Sequence, residues 1–562
     1  MFADTVLKGK VFTSNRAALR ADAAAIKDGT FVYVGDAQGV EEFIGPDTEV
    51  LESGDGMFMP GFCDAHMHFS SGAGQFAYEI DIVGLETVDQ YIDTIREYVE
   101  KNPGREFYKG MGWDNAVFEN EGKTQTKELL DAVCPDVPML IGSYDGHSYW
   151  VNSKCLEKAG IGRGFVSKEA GTIVLDPETQ EPTGLVRDWA MNDVFRAIRP
   201  YTVEEFKKAI LPLQDDLIAV GLTNIYEPIL RDEETAQMAL EELDIEHKLK
   251  LKVTSGFYCK PESETLEKID RCAKVRDSYH GDHYQCNNIK FVLDGVIESG
   301  TAYLKDEYTD KPGFTGKPNC TPEAYNEMVK YAKEQGFQVH VHAIGDAAIS
   351  MALDGFEYAQ ATDPVEDWRP TITHLQVMSD EDIDRFAVLK GIAAANPTWH
   401  FKDPVCYESL EHAQLGDRAE SEYPLGKFWD RGMVVTTATD FPVSNPDPME
   451  GLEVGVTRCA PGDVSEKTLL DANQRVSVED MICAGTINGA YQNFLEDRIG
   501  SIEVGKDADF VLMDRDITAI DHHTIHEAQC LMTVIDGKVM YKRRLRHKWP
   551  RPMETNSPGT TR

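Results

Sequence analysis

Short apolar runs that end in polar residues recur through the middle of the chain, separated by amphipathic stretches of helix length. Eight such runs stand out: Met57–Cys63, Leu222–Tyr226, Leu251–Gly256, Ile289–Leu293, Phe337–Val341, Thr371–His374, Ile392–Asn396 and Val434–Thr437. The segment TPEAYNEMVKYAKEQG shows the rule for the helices. Thr321 suits an N-cap, Pro322 the first helical position and Gly336 the stop. Between them Tyr325, Met328, Val329 and Ala332 recur at helical spacing. FQVHVH follows at once as a strand, and Ser379 caps a further helix that ends near Gly391, before IAAAN. Eight strand–helix units predict an α/β protein with a closed (β/α)8 TIM barrel. An open, doubly wound sheet is the competing topology, but no G-x-G-x-x-G loop follows any of these strands.

Both ends of the chain read as strands instead. AAAIKDGTFVYVGD places Asp28-Gly29 between two apolar runs, and TVIDGKVMY repeats the device at Asp536-Gly537. Such dipeptides supply the positive φ that a tight hairpin needs. With ADFVLMD (508–514) as another strand, residues 1–56 and 496–545 are expected to form one small β domain around a barrel at 57–495. The gap between the first two barrel strands, about residues 70–200, is too long for a single helix and predicts an inserted subdomain or lid. Residues 546–562 turn basic and then polar, as a flexible tail does.

Charge narrows the partners. The 562 residues carry 56 basic and 96 acidic side chains, a formal charge of -40. That balance argues against nucleic acid and against an anionic membrane surface. It leaves a small molecule as the expected partner, with a homodimer allowed for. MFADTVLKGKVF lacks a basic-then-apolar leader, and no apolar stretch approaches the roughly 18 residues that cross a bilayer. The expected location is cytoplasmic. Eleven scattered cysteines without C-x-x-C pairs make neither a disulfide framework nor a thiolate zinc site.

The candidate chemistry lies where the strands end. PGFCDAHMH (60–68) holds His66 and His68, which point to one side in an extended segment and can reach one point in space. Further along come Lys290 in NNIKFVLDG, His342 in FQVHVHAIGD, His374 in TITHLQV and Asp440 in TTATDFP. Catalytic groups of a β/α barrel gather at the carboxyl ends of its strands, so the set reads as a metal centre. Each residue also has a plain structural reading: His374 in the core, Lys290 as a strand-edge charge, Asp440 as a turn residue before Pro442. His340 and His342 form a second H-x-H. His342, nearer the strand end, is the expected ligand, and His340 a pocket or supporting group. His147 in DGHSYWVN is a candidate substrate contact or a structural residue of the lid. Trp113, Phe118, Trp150, Trp189 and Trp399 suggest an apolar or aromatic substrate, with Trp113 and Trp399 as candidate contacts.

In order and spacing, PGFCDAHMH, the Lys290 strand, HAIGD, the His374 strand and TDFPV resemble the motif series of the amidohydrolase superfamily. GWDN (112–115), DGHSYWVNSKCLEKAGI (145–161), KFVLDGVIESGTA (290–302) and RIGSIEVGKDADFVLMD (498–514) are similar to its YtcJ-like branch, which includes N-substituted formamide deformylases. The resemblance spans roughly residues 5–540. It implies a distorted (β/α)8 barrel with a small β-sandwich from both termini. It also implies two zinc ions per chain, with His66, His68 and Asp440 around one, His342 and His374 around the other, and a carboxylated Lys290 bridging them. Asp440 would be the proton shuttle of a hydrolase that cleaves a non-peptide C–N bond. Asp188 in GLVRDWA and Trp399-His400 in ANPTWH depart from the branch's usual residues, which bears on the substrate rather than on the reaction.

Two other readings stay open. A mononuclear deaminase of a heterocycle would keep the first H-x-H and Asp440 without needing Lys290. A noncatalytic scaffold would keep the barrel without the ligands.

Overall fold

The computed structural model describes residues 1–144, 148–168, 171–188, 190–230, 233–261, 266–279, 281–404 and 406–543. Contacts divide the described residues into two compact units, one within Met1–Ser70 and Ile210–His547, the other within Ser71–Ala209.

The first unit contains an eight-stranded parallel sheet in chain order. Its strands are β1 (Phe62–Asp64), β2 (Leu222–Glu227), β3 (Lys252–Tyr258), β4 (Tyr284–Val292), β5 (Gln338–Ala343), β6 (Thr371–His374), β7 (Ile392–Ala395) and β8 (Val434–Thr437). The sheet curls until its edges meet: beyond the last ladder, the Ala65 N–H donates to the Thr437 carbonyl at 2.9 Å. The helices between strands follow the amphipathic pattern. In Pro322–Glu334, Tyr325, Met328, Val329 and Ala332 are buried, and the Thr321 side chain accepts from the Ala324 N–H. The Ser379 side chain likewise caps Asp380–Val388. Among the described residues no helix is long and apolar enough to cross a membrane.

Both chain ends join one sheet in this unit. Met57–Pro60 pairs antiparallel with Phe510–Met513 and, through Val11 and Phe58, parallel with Thr5–Phe12. Phe31, Phe58 and Phe510 fill its core with Leu7 and Ile26. The apolar run read as a single first barrel strand is therefore two strands. Met57–Pro60 belongs to the terminal sheet, and only Phe62–Asp64 enters the barrel. Gly61 lies between them, where a Cβ would stand 2.2 Å from the Thr223 side chain. Both hairpin tips have the expected left-handed backbone, with φ of 50° and 79° at Asp28 and Gly29 and 50° and 70° at Asp536 and Gly537. The tips touch: a Cβ on Gly537 would stand 2.7 Å from Gly29 Cα. Lys252, which opens β3, is buried and reaches Asp509 and Asp536 at 2.7 Å each, tying the barrel to this sheet.

The second unit has a six-stranded sheet of its own, in the order Gly171–Leu175, Pro182–Asp188, Ser148–Val151, Met139–Ser143, Tyr108–Trp113, Glu79–Asp81. Tyr91, Ile95, Trp113, Phe118 and Trp150 form its core. Helix Val203–Ala219 starts with a capping box. Glu205 N–H donates to Thr202 Oγ1, while Thr202 N–H donates back to the Glu205 carboxylate.

Candidate active site

The loops after β1 and β8 are laced together, and this lacing builds the site. Asp64 of the opening motif is not aimed at a ligand position. Its carboxylate accepts from the His66 N–H at 3.1 Å, from the Thr439 N–H at 3.2 Å, and from the Thr439 hydroxyl. Burial pushes its pKa up to about 7 against these bonds. Asp440 N–H donates to the His66 carbonyl at 2.8 Å, and His68 N–H to the Phe441 carbonyl at 2.7 Å. The outcome is that Asp440 Oδ1 lies 3.3 Å from His66 Nε2 and 3.1 Å from His68 Nε2. One donor atom from each of the three falls within 4.8 Å of the others, the spacing of groups that can share one cation.

The remaining strand ends converge on the same place. The rings of His66 and His374 are 5.4 Å apart, and those of His342 and His374 4.5 Å. Each imidazole has one nitrogen fixed by a partner. His374 Nδ1 is 3.0 Å from Asn396 Oδ1, and His342 Nε2 is 3.1 Å from the Gly295 carbonyl. Both partners accept, so these nitrogens carry the protons, leaving His374 Nε2 and His342 Nδ1 as lone pairs. Burial first, and then the Lys290 charge, hold His66 well below the ordinary histidine range and lower His342 to about 4. Burial also lowers His374, with His342 the next cause. Neutral imidazoles are what a metal requires.

Lys290 on β4 is 1% exposed, and its Nζ has no hydrogen-bond partner among the described residues. Burial lowers its pKa to about 7, with Asp440 opposing. Asp440 itself is raised by burial but more than compensated by its His68 hydrogen bond and neighbouring charges, so its carboxyl titrates below the usual range. Convergent lone pairs on two histidines and a carboxylate, beside a buried amine that lacks a partner, fit a metal.

The other sequence candidates are dispersed. His340 is wholly buried, its Nε2 2.9 Å from His66 Nδ1 and its ring stacked on Tyr226 at 4.8 Å. Its ring contacts are thus with His66 and Tyr226. Trp399 stacks on His374, centroids 5.3 Å apart and planes at 10°, and its indole N–H donates to Ser444 Oγ at 2.7 Å. Trp113 lies in the core of the second unit, 3% exposed, with its indole N–H on the Ile141 carbonyl at 2.8 Å. His147 falls outside the described residues.

Sequence reasoning passed over Asp64, Asn396 and Glu227. Glu227 ends β2, is wholly buried, and accepts from the Ser70 N–H at 2.7 Å and the Ser70 hydroxyl. Its position at the end of LTNIYE was the available signal.

A parallel barrel that gathers imidazoles, a carboxylate and a buried lysine at the carboxyl ends of its strands has the architecture of a hydrolytic β/α-barrel protein. The chain belongs to the amidohydrolase family, whose profile matches residues 49–541. It is 26% identical over 540 residues to the putative amidohydrolase YtcJ of Bacillus subtilis, covering 95% of this chain and 98% of that one. It is 24% identical over 536 residues to an N-substituted formamide deformylase of Arthrobacter pascens, covering 93% and 95%. The crystal structure of an uncharacterized metal-dependent hydrolase from Pyrococcus horikoshii OT3 shares the fold, with a TM-score of 0.75 at 23% identity over 92% of this chain and 99% of that one.

Proposed function

We propose that the chain is a zinc-dependent hydrolase that cleaves a non-peptide C–N bond in a small amide, formamide or cyclic amide with an apolar or aromatic substituent. The observation that carries this reading is the meeting of His66, His68 and Asp440 donor atoms within 4.8 Å of one another, beside the unpartnered Lys290 amine. His66, His68 and Asp440 would hold one metal and His342 and His374 a second. Lys290 would join them as a carbamate. Bound zinc supplies a Lewis acid and a water acidified toward pKa ~7.

The chain's own groups do the rest. The neutral Lys290 Nζ is the form that would add to CO2, gaining a C–N bond and releasing one proton, which turns a neutral amine into an anion; from the ammonium, two protons leave in all. An ammonium there would repel a metal by several kcal/mol, since unit charges about 4 Å apart interact at ~4 kcal/mol even at an effective dielectric of ~20. Asp440, kept ionised by His68, accepts a proton from the attacking water and passes it to the departing nitrogen. Asn396 and the Gly295 carbonyl keep the two rear imidazoles in one tautomer. Trp399 offers a flat apolar wall beside His374 for the substituent. The similarity to a formamide deformylase supports N-formyl compounds as the first substrates to try.

The test is metal content, intact mass and activity on a panel of N-formyl, N-acyl and cyclic amides. Two metals per chain and a Lys290 carbamate are expected. Lys290→Ala should lose activity that small carboxylic acids partly restore. A bare amine beside one fully occupied metal in an active preparation would refute the bridged pair and favour the deaminase alternative.

A further inference from the structure

The Trp399-His400 pair serves two places. Trp399 faces His374, whereas His400 stacks on Tyr423, centroids 4.5 Å apart and planes at 19°. His400 is 1% exposed, and neither of its ring nitrogens has a hydrogen-bond partner among the described residues. A neutral imidazole offers one donor and one acceptor, so both are orphaned, a costly arrangement that native interiors avoid.

A second orphan stands beside it. Arg458 is 0% exposed. Its Nε donates to the Leu470 carbonyl at 3.0 Å and its Nη2 to the Glu422 carbonyl at 3.1 Å, while Nη1 has no partner among the described residues. Arg458 thus bonds the Glu422 carbonyl, and His400 packs on the next residue, Tyr423. The Arg458 charge reaches His400, adding to burial in lowering its pKa. The backbone points the same way. Arg458 ends helix Pro448–Thr457 at φ 60° and ψ 26°, the left-handed position that favours glycine, yet a large charged side chain is held there.

Glu422, whose carbonyl Arg458 bonds, does not neutralise the guanidinium with its side chain. Glu422 shares the Gln376 amide with Glu411, at 2.7 and 3.0 Å, and burial followed by the Glu411 charge pushes its pKa well up, towards the neutral acid. The Asp471 charge acts on Arg458 against burial, but no carboxylate among the described residues bonds the guanidinium, and Nη1 stays open for a ligand.

We propose that Arg458 Nη1 and His400 form a buried binding site for a small monovalent anion, a halide or a carboxylate the size of formate. With Nε and Nη2 both committed to carbonyls, the guanidinium cannot grip an oxyanion by its two-nitrogen fork, and one amino group remains. That geometry favours a single ligand atom over a phosphate. The site stands apart from the metal reading and does not depend on it.

The experiment uses the wild-type protein crystallised in sodium bromide, in sodium formate, and in both. An anomalous bromide peak touching Arg458 Nη1 and the His400 ring is expected. Displacement of that peak by formate would identify a carboxylate occupant, and persistence a halide, both within the proposal. In solution, bromide at constant ionic strength should raise the unfolding midpoint saturably, an upward shift lost in His400→Phe, which keeps the stacking and removes the ring nitrogens. Arg458→Met is the sharper variant but risks misfolding, so the bromide data on the unaltered protein carry the test. Density that refines as water without anomalous signal, together with identical salt responses in wild type and His400→Phe, would overturn the site.

Discussion

His66 Nδ1 stands 2.9 Å from His340 Nε2, so one proton lies between two buried rings and decides which nitrogen of His66 is free. If Nδ1 carries that proton and donates it to His340, the lone pair of His66 is on Nε2, the nitrogen that faces Asp440. His340→Phe keeps a ring of similar size and removes the acceptor. A fall of about 10–100-fold in metal affinity or activity is expected, the range for partners that orient a ligand. Competition against a chelator measures it, and unchanged affinity would show that His66 needs no such partner.

Asp440 is tested by Asp440→Asn, which preserves shape and removes basicity. The turnover rate should fall on the order of 10²–10⁴-fold at matched metal content. A rate that stays level with full metal occupancy would reduce Asp440 to a structural link between the two loops.

Trp113 fills the second unit's core, edge-on to Phe118 at 6.1 Å and 90°. Trp113→Ala should cost that unit about 3–5 kcal/mol, as for other large core truncations. Hydrogen exchange or limited proteolysis across 71–209 would report it. A raised KM with unchanged protection would instead restore the substrate-contact role.

Acid should loosen the same unit at its capping box. Hydrogen bonding to Arg199, partly offset by burial, lowers the Glu205 pKa to about 2. A depressed folded-state value gives stability that is fully present above the unfolded value of about 4.3 and lost as pH falls through the folded one. Wild type should therefore lose more stability than Glu205→Gln between about pH 4.3 and 2. Parallel melting curves over that window would contradict the assignment.

Much of this was legible in the sequence for physical reasons. Asp28-Gly29 and Asp536-Gly537 announced hairpins because few residues accept positive φ. The barrel strands showed as short apolar runs because both faces of a parallel sheet are covered. The start of β4 was missed, since YQCNN is polar, and only the fold supplies partners for such groups: Asn288 donates to Gln338 and Gln285 to Thr254. The split of residues 57–64 was hidden because Met57–Pro60 and Phe62–Asp64 are both apolar runs, and only their pairing in two different sheets separates them. At the site, residue type and position named His66, His68, Lys290, His342, His374 and Asp440, all of which the barrel rim brings together. The pattern of the sequence could not supply depth. His340 and His342 share one H-x-H, yet His340 is wholly buried against His66, and Trp113 reads like Trp399 until its packing is seen.

The sheet that joins the chain's two ends also sets an order on its synthesis. Met57–Pro60 runs through Gly61 into the first barrel strand, but its antiparallel partner, Phe510–Met513, leaves the ribosome some 450 residues later. Until then Phe58 lacks Phe510, and the edge of that strand stays open. A nascent or truncated chain therefore carries an unpaired apolar edge beside the half of the site that bears His66 and His68. Closure of that edge marks a chain whose last barrel strand, with Asp440 behind it, has already been made.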